Sequence, residues 1–306
     1  IYMRKTFLIK EDSSNSRLDR WFKRNVFNAP QSLIEKNLRK GNIKVNNKKN
    51  RSSYKLKIND LILVQNINFT PNLNKKNITK YIPTKKELSF SSNLFIENNE
   101  NFVVINKPSG IAVQGGTKSR RNILDILAKT NEFKGFIPYP VHRIDKETTG
   151  VLIISKTRKY AQLFTSLFRI RKIYKTYLGI IIGNFDKNKG SLEDVLTHYE
   201  GKKIIKNKAI TNFEVIDSNN HYSLIKLNPI TGRKHQLRKQ LLMYGHPILG
   251  DSKYRIKNNN YNKKTQLMLH AYKINFTINN VKYNFIAQPP NEFKKFLKEK
   301  YLKSFF

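Results

Sequence analysis

The sequence predicts an α+β fold, a mixed sheet with helices packed beside it, preceded by a small αβ module. Apolar strand-like runs recur at residues 102–105, 151–154, 178–182, 213–216, 223–227 and 285–287. Their uneven spacing lacks the regular strand–helix alternation of a doubly wound sheet. Residues 66–92 mix Pro71 and Pro83 with many Lys and Asn and few consecutive apolar residues, the composition of a connector. The expected organisation is therefore a module over 1–65, a linker over 66–92 and a larger domain over 93–306.

In the first module Pro30 sits where a helix can begin and Gly41 where one can end. Between them Leu33, Ile34 and Leu38 share one helical face, and Lys36, Arg39 and Lys40 share the opposite one. Ile43-Lys44-Val45, a turn at Asn46-Asn47-Lys48-Lys49 and the apolar run Leu61-Ile62-Leu63-Val64 follow. Helices, short strands and one basic helical stripe suit contact with RNA.

In the larger domain, the polar run Val141-His142-Arg143-Ile144-Asp145-Lys146-Glu147-Thr148-Thr149-Gly150 is pressed against the apolar Val151-Leu152-Ile153-Ile154. Gly150 is free to take a backbone angle that other residues resist. Such a turn holds a carboxylate still, for catalysis or simply as a turn former. Residues 235–244, ended by Gly245, read as a helix with Leu237, Leu241, Leu242 and Tyr244 on an apolar arc. Arg238 falls inside that arc, and a guanidinium so placed requires an anion. Lys234 points the same way but lies in the first turn, where its stem can swing out to water. Residues 257–264, rich in Asn and Lys, read as an exposed loop.

Composition points to a polyanionic partner. The chain has 306 residues, 59 Lys plus Arg and 21 Asp plus Glu, a formal charge of +38. The surplus is +15 over residues 1–90 and +23 over the rest; with 39% hydrophobic residues, this describes basic folded domains better than a basic tail. The absence of cysteine excludes disulfides and thiolate nucleophiles. The six histidines have no metal-ligand spacing, so no metal is expected. No apolar run approaches the roughly 20 residues that span a bilayer, and the first residues lack the apolar core of a signal peptide. A cytoplasmic protein, monomeric and without membrane contact, is expected.

The motifs resemble those of the RluA-type pseudouridine synthases. His142-Arg143-Ile144-Asp145 with Thr148-Thr149-Gly150 carries the resemblance, supported in order by Asn106-Lys107-Pro108-Ser109-Gly110, Lys175-Thr176-Tyr177, Thr231-Gly232-Arg233-Lys234-His235-Gln236-Leu237-Arg238, Gly245-His246-Pro247-Ile248-Leu249-Gly250-Asp251, Leu269-His270-Ala271 and Ala287-Gln288-Pro289-Pro290. Arg17-Leu18-Asp19-Arg20, Leu38-Arg39-Lys40-Gly41, Ile43-Lys44-Val45-Asn46 and Asn59-Asp60 resemble the S4 RNA-binding domain. Asn59 replaces the usual glycine there, and Asn also tolerates the left-handed conformation.

The resemblance implies a largely antiparallel central sheet crossed by the active cleft, and the isomerisation of uridine in RNA without a cofactor. It implies Asp145 as nucleophile and base, kept ionised by Arg238, and Tyr177 stacked on a uracil that has left its helix. Arg143 matches the arginine that fills the vacated space, and His142, Thr148, Arg233, His235 and Leu237 fall in the substrate-binding motifs. Arg20, Lys36, Arg39 and Lys40 would meet RNA in the S4-like module. An S4-like module and a short linker resemble the RluC and RluD branch, implying large-subunit ribosomal RNA or a pre-ribosomal particle as partner. Transfer RNA, a non-catalytic ribosome-assembly role and another RNA-modifying or hydrolytic chemistry stay open. Thr149, Lys234 and Gln240 depart from the usual Ser, Thr and His, and the last puts an imidazole contact in doubt.

Overall fold

The computed structural model describes residues 4–67, 81–116, 120–200, 203–256 and 265–306. The loop expected at 257–264 and much of the expected linker lie outside the described residues. The chain divides into two compact units, Ile1–Ile78 and Thr79–Phe306.

In the first unit, strands β1 (Lys5–Leu8), β2 (Ile43–Val45) and β3 (Leu61–Val64) form an antiparallel sheet in the order β1-β3-β2, beside helices α1 (Leu18–Asn25) and α2 (Gln31–Lys40). Helix α2 starts after Pro30 and stops at Gly41, whose φ of 76° lets its N–H turn back to the helix. Ile34 and Leu38 enter a core with Trp21, Phe22, Ile43 and Ile62. Leu33, expected beside them, is exposed instead. The buried stripe runs through Asn37, which donates to the Leu33 carbonyl and accepts from Asn42, so a satisfied polar group takes the place assigned to a leucine. Asn59 takes φ 67°, the left-handed turn that its position demands.

The expected linker requires correction. Residues 81–92 belong with the second unit, because Thr84-Lys85-Lys86-Glu87 opens helix α3 (Lys85–Ser91) with a reciprocal cap. The Thr84 N–H donates to Glu87 and the Glu87 N–H to the Thr84 hydroxyl. Tyr81 donates its backbone N–H to Asp125 and its hydroxyl to Glu87, which also meets Arg121 at 2.6 Å.

The second unit is one ten-stranded sheet. Its path is β4 (Phe95–Asn98), β5 (Phe102–Lys107), β7 (Thr149–Ser155), β12 (Leu269–Ile278), β8 (Tyr174–Ile182), β11 (Tyr222–Pro229), β10 (Lys203–Ser218) and β9 (Lys189–Glu200); β6 (Tyr139–Pro140) pairs with β7 and β13 (Val281–Ile286) with β12. Every described pairing is antiparallel except β7 with β12. Helices α4 (Ile123–Leu127), α5 (Arg158–Arg169), α6 (Gln236–Met243) and α7 (Asn291–Glu299) complete it, giving the mixed, mostly antiparallel α+β fold expected.

Strand β12, late in the chain, is the seam of this sheet. It lies between β7, which follows the Asp145 turn, and β8, which carries Tyr177. Thr149 faces His270 and Gly150 faces Ala271 across the parallel pairing. Gly150 is obligatory there: its φ is 110°, and an added Cβ would overlap the Ala271 backbone.

Candidate active site

The Asp145 turn is fixed from beneath by side chains whose polar atoms are spent on the backbone. Lys107 is fully buried, and its ammonium donates to the carbonyls of Pro108, Ile111 and Lys146 at 2.7, 2.9 and 3.1 Å. Burial lowers its pKa to about 7, with Glu147 and Asp145 pulling the other way. Ser109 donates to the Glu147 carbonyl, and the Thr148 N–H closes the turn on the Asp145 carbonyl. Thr149 and His270 meet at 2.7 Å, and the other His270 nitrogen lies 2.9 Å from the Ala287 carbonyl. That carbonyl can only accept, so His270 donates through Nε2 and accepts a hydrogen bond from the Thr149 hydroxyl at Nδ1.

His142 belongs to the same scaffold. Its Nε2 accepts the Ile153 N–H at 2.9 Å, its ring lies on Phe168, and burial, then the Lys175 charge, lowers its pKa to about 3. The ring is committed to the next strand as a turn support, and it also borders the cleft where a substrate contact was expected of it. Thr148 is likewise buried, and its described bond serves the turn.

Helix α6 brings the opposite wall. His235 precedes it at φ 54°, and Gly245 follows at φ 82°. Leu237 and Leu241 enter the core as expected, whereas Tyr244, expected in the arc, is the exposed residue that caps the helix end. Arg238 is only 4% exposed, and its Nη1 donates to Asp145 Oδ2 at 3.1 Å. Its other two donors go elsewhere, Nε to Asp251 Oδ2 at 2.6 Å and Nη2 to Asp251 Oδ1 at 2.8 Å. Burial opposes its charge, but the bonds and charge of Asp251, then of Asp145, outweigh that and raise its pKa above the usual arginine value. Sequence reasoning quoted Asp251 within a motif yet gave it no role. The available signal was Gly250-Asp251, an acid behind a turn glycine, 13 residues past an arginine that needed one.

Asp145 itself keeps 23% of its side chain exposed, opening on a cleft of about 700 Å³. The cleft is lined by Arg143, Lys175, Tyr177, Arg233, Lys234, His235 and Leu237, among others. Burial and the Asp145 charge raise the Tyr177 pKa, so its phenol stays protonated at neutral pH. His235 Nε2 stands 3.7 Å from Asp145 Oδ1, and its Nδ1 stands 2.8 Å from the Tyr254 hydroxyl. Arg143, Arg233 and Lys234 are exposed, and Arg233 also donates to the Lys208 carbonyl. Gln240, where an imidazole was in question, is fully buried, donating to the Leu192 carbonyl and Asp194 and accepting from Thr211. Arg20, Lys36, Arg39 and Lys40 are exposed on the first unit.

A half-exposed carboxylate with one buried guanidinium, at the end of a polar, cation-lined cleft, can attack carbon or move a proton next to a planar base. Comparison with known proteins agrees. The family model for RNA pseudouridylate synthase matches residues 101–243. The chain is 33% identical over 281 residues to the ribosomal large subunit pseudouridine synthase C of Buchnera aphidicola subsp. Schizaphis graminum, covering 88% of each. It is 36% identical over 257 residues to the protein of that name from Rickettsia conorii, covering 78% of this chain and 82% of that one. The structure of human RNA pseudouridylate synthase domain containing 4 superposes with a TM-score of 0.62 at 26% identity, over 72% of this chain and 98% of that one. The chain belongs to the RNA pseudouridine synthases, isomerases that convert uridine to pseudouridine in RNA.

Proposed function

We infer that this enzyme modifies uridines of large-subunit ribosomal RNA, with Asp145 as the group that reacts. The observation carrying this reading is the Asp145 carboxylate, open to the cleft on one side and bonded to buried Arg238 on the other. The similarity to relatives named for the large subunit supports the substrate class.

In this reading a flipped uridine enters the cleft and its uracil lies against Tyr177. Asp145 attacks carbon or assists departure of the base as the C1′–N1 bond breaks, the uracil turns, C5 bonds to C1′, and the C5 proton is then removed while N1 gains one. Atoms balance without cofactor, water or redox partner. Arg238 holds the Asp145 carboxyl group in one orientation, and Tyr177, kept protonated, is a flat surface and hydrogen-bond donor before it is a base. Arg143 occupies the place left by the base, while Arg233, His235 and Leu237 border the substrate. The first unit adds an S4-like RNA grip through Arg20, Lys36, Arg39 and Lys40, and the enzyme works as a cytoplasmic monomer.

The test is to incubate the full chain with unmodified transcripts of large-subunit ribosomal RNA and of transfer RNA, and to map pseudouridine by chemical labelling. Product is expected in the ribosomal transcript, and Asp145→Asn is expected to lower the rate by at least about 10⁴-fold. An undiminished rate in Asp145→Asn removes the carboxylate from the mechanism. Product confined to transfer RNA reassigns the substrate.

A further inference from the structure

We propose that Asp251 is a positioning residue for the reaction, one buried anchor that sets what each oxygen of Asp145 meets. The proposal rests on the reading of Asp145 as the reacting group.

Arg238 offers a planar fork, and a carboxylate facing it alone would be gripped by two parallel N–H bonds. Asp251 takes the bidentate place on the Nε side, binding Nε and Nη2 at 2.6 and 2.8 Å, and Asp145 Oδ2 meets the guanidinium through Nη1, which also lies 3.7 Å from Glu147 Oε2. Asp145 is thereby tethered once and not clamped, and Oδ1 is left out of the guanidinium's grip. The anchor is itself immobile: the Asp251 side chain is fully buried. Its Oδ1 also accepts the backbone N–H groups of Lys253 and Tyr254 at 2.9 and 2.8 Å.

Those last two bonds reach the second oxygen. They shape the turn that lays the Tyr254 ring 5.2 Å from the Arg238 guanidinium carbon and sets its hydroxyl 2.8 Å from His235 Nδ1. A phenol donating into Nδ1 leaves the proton of the neutral imidazole on Nε2, the nitrogen 3.7 Å from Asp145 Oδ1. One carboxylate, outside the cleft lining, thus orders the donor on each side of the reacting acid. Gly250 makes the approach possible: at φ 77°, an added Cβ there would overlap the Gln266 backbone.

The experiment is a double-mutant cycle in the full chain, read by single-turnover pseudouridine formation on an unmodified large-subunit ribosomal RNA transcript. Asp251→Asn should lower the rate at saturating RNA by about 100-fold, the scale of a 1 Å misplacement, and change RNA affinity by less than about 3-fold. In an Arg238→Lys background the same change should cost less than about 3-fold, because its route of action is already gone. A full rate in Asp251→Asn, or an equal loss in both backgrounds, overturns the proposal. Should Asp251→Asn fail to fold, Tyr254→Phe keeps the ring over Arg238 and removes only the hydroxyl. A loss of about 5-fold that disappears in a His235→Gln background supports the inference, and an equal loss in both, or none, overturns it. A wild-type chain that makes no pseudouridine on this transcript overturns the substrate reading alone, and the same cycle is then read on the transfer RNA transcript, with the same outcomes deciding it.

Discussion

The basic stripe of α2 stands in water, whereas the two cations that hold Asp145 and its turn are walled in. Lys36, Arg39 and Lys40 line the exposed side of α2, while Arg238 is spent on two carboxylates and Lys107 on three carbonyls. The same residue types therefore do two kinds of work. Exposed cations act by number, each adding a screened, interchangeable share of attraction to a polyanion. A buried one acts by place, because its bonds fix a single atom to a fraction of an ångström and its removal strands a charge.

The largest expected contrast is in stability. Arg238→Met leaves the Asp251 carboxylate buried and unpaired, and should destabilise the second unit by about 3–5 kcal/mol. Calorimetry checks it; a loss below about 1 kcal/mol would mean that the guanidinium is no more embedded than a surface pair. A smaller effect comes from acid. His142 and His270 stay neutral in the folded chain down to about pH 3 and 4, because burial opposes their charging. Unfolded, each takes up a proton near its ordinary value of about 6.5. The unfolded chain thus binds more protons in that window, and stability falls as pH drops from about 6.5.

Residues 1–78 hold no histidine, and the single tryptophan, Trp21, is buried there. Between pH 6.5 and 4.5 the urea midpoint read by Trp21 fluorescence should hold, while that read by circular dichroism falls. His270→Gln should recover a share on the order of 2–3 kcal/mol at the acid end. Equal acid sensitivity of both signals would break the contrast. The smallest effect belongs to the surface: replacing Lys36, Arg39 and Lys40 together by Ala should weaken RNA binding about 10-fold and flatten the slope of log affinity against log salt by about 2–3. An unchanged slope in a filter-binding titration would remove these residues from the RNA contact.

The sequence carried this contrast unevenly. Pro30 and Gly41 marked both ends of α2, and the arc around Leu237 and Leu241 placed Arg238 indoors, because helical spacing converts directly into burial. Leu33 and Tyr244 were misplaced since an arc read from composition ignores which polar residue can satisfy itself inside, as Asn37 does, and where a helix ends. The cap Thr84-Lys85-Lys86-Glu87 was readable and overlooked, hidden by the lysines around it. Strands β9 and β10 were mostly invisible because their exposed positions, Val195 and Ile204 among them, break the alternation that marks a half-buried strand. For Asp251 the sequence offers only a hint, an acid behind a turn glycine, 13 residues past Arg238. Its partnership with Arg238 exists only once a turn, and not a helix, brings the two together.

The place of β12 in the sheet has a consequence for how the enzyme comes into being. On the proposed reading the reacting acid precedes β7, and the tyrosine and arginine that serve it come with β8 and α6, yet among the described pairings β7 and β8 are joined only through residues 269–278, which lie between them. A chain still emerging from the ribosome therefore carries every catalytic residue well before it has a catalytic centre. Competence is expected late in translation, and a fragment cut short before Leu269 is expected to hold two half-sites and modify nothing.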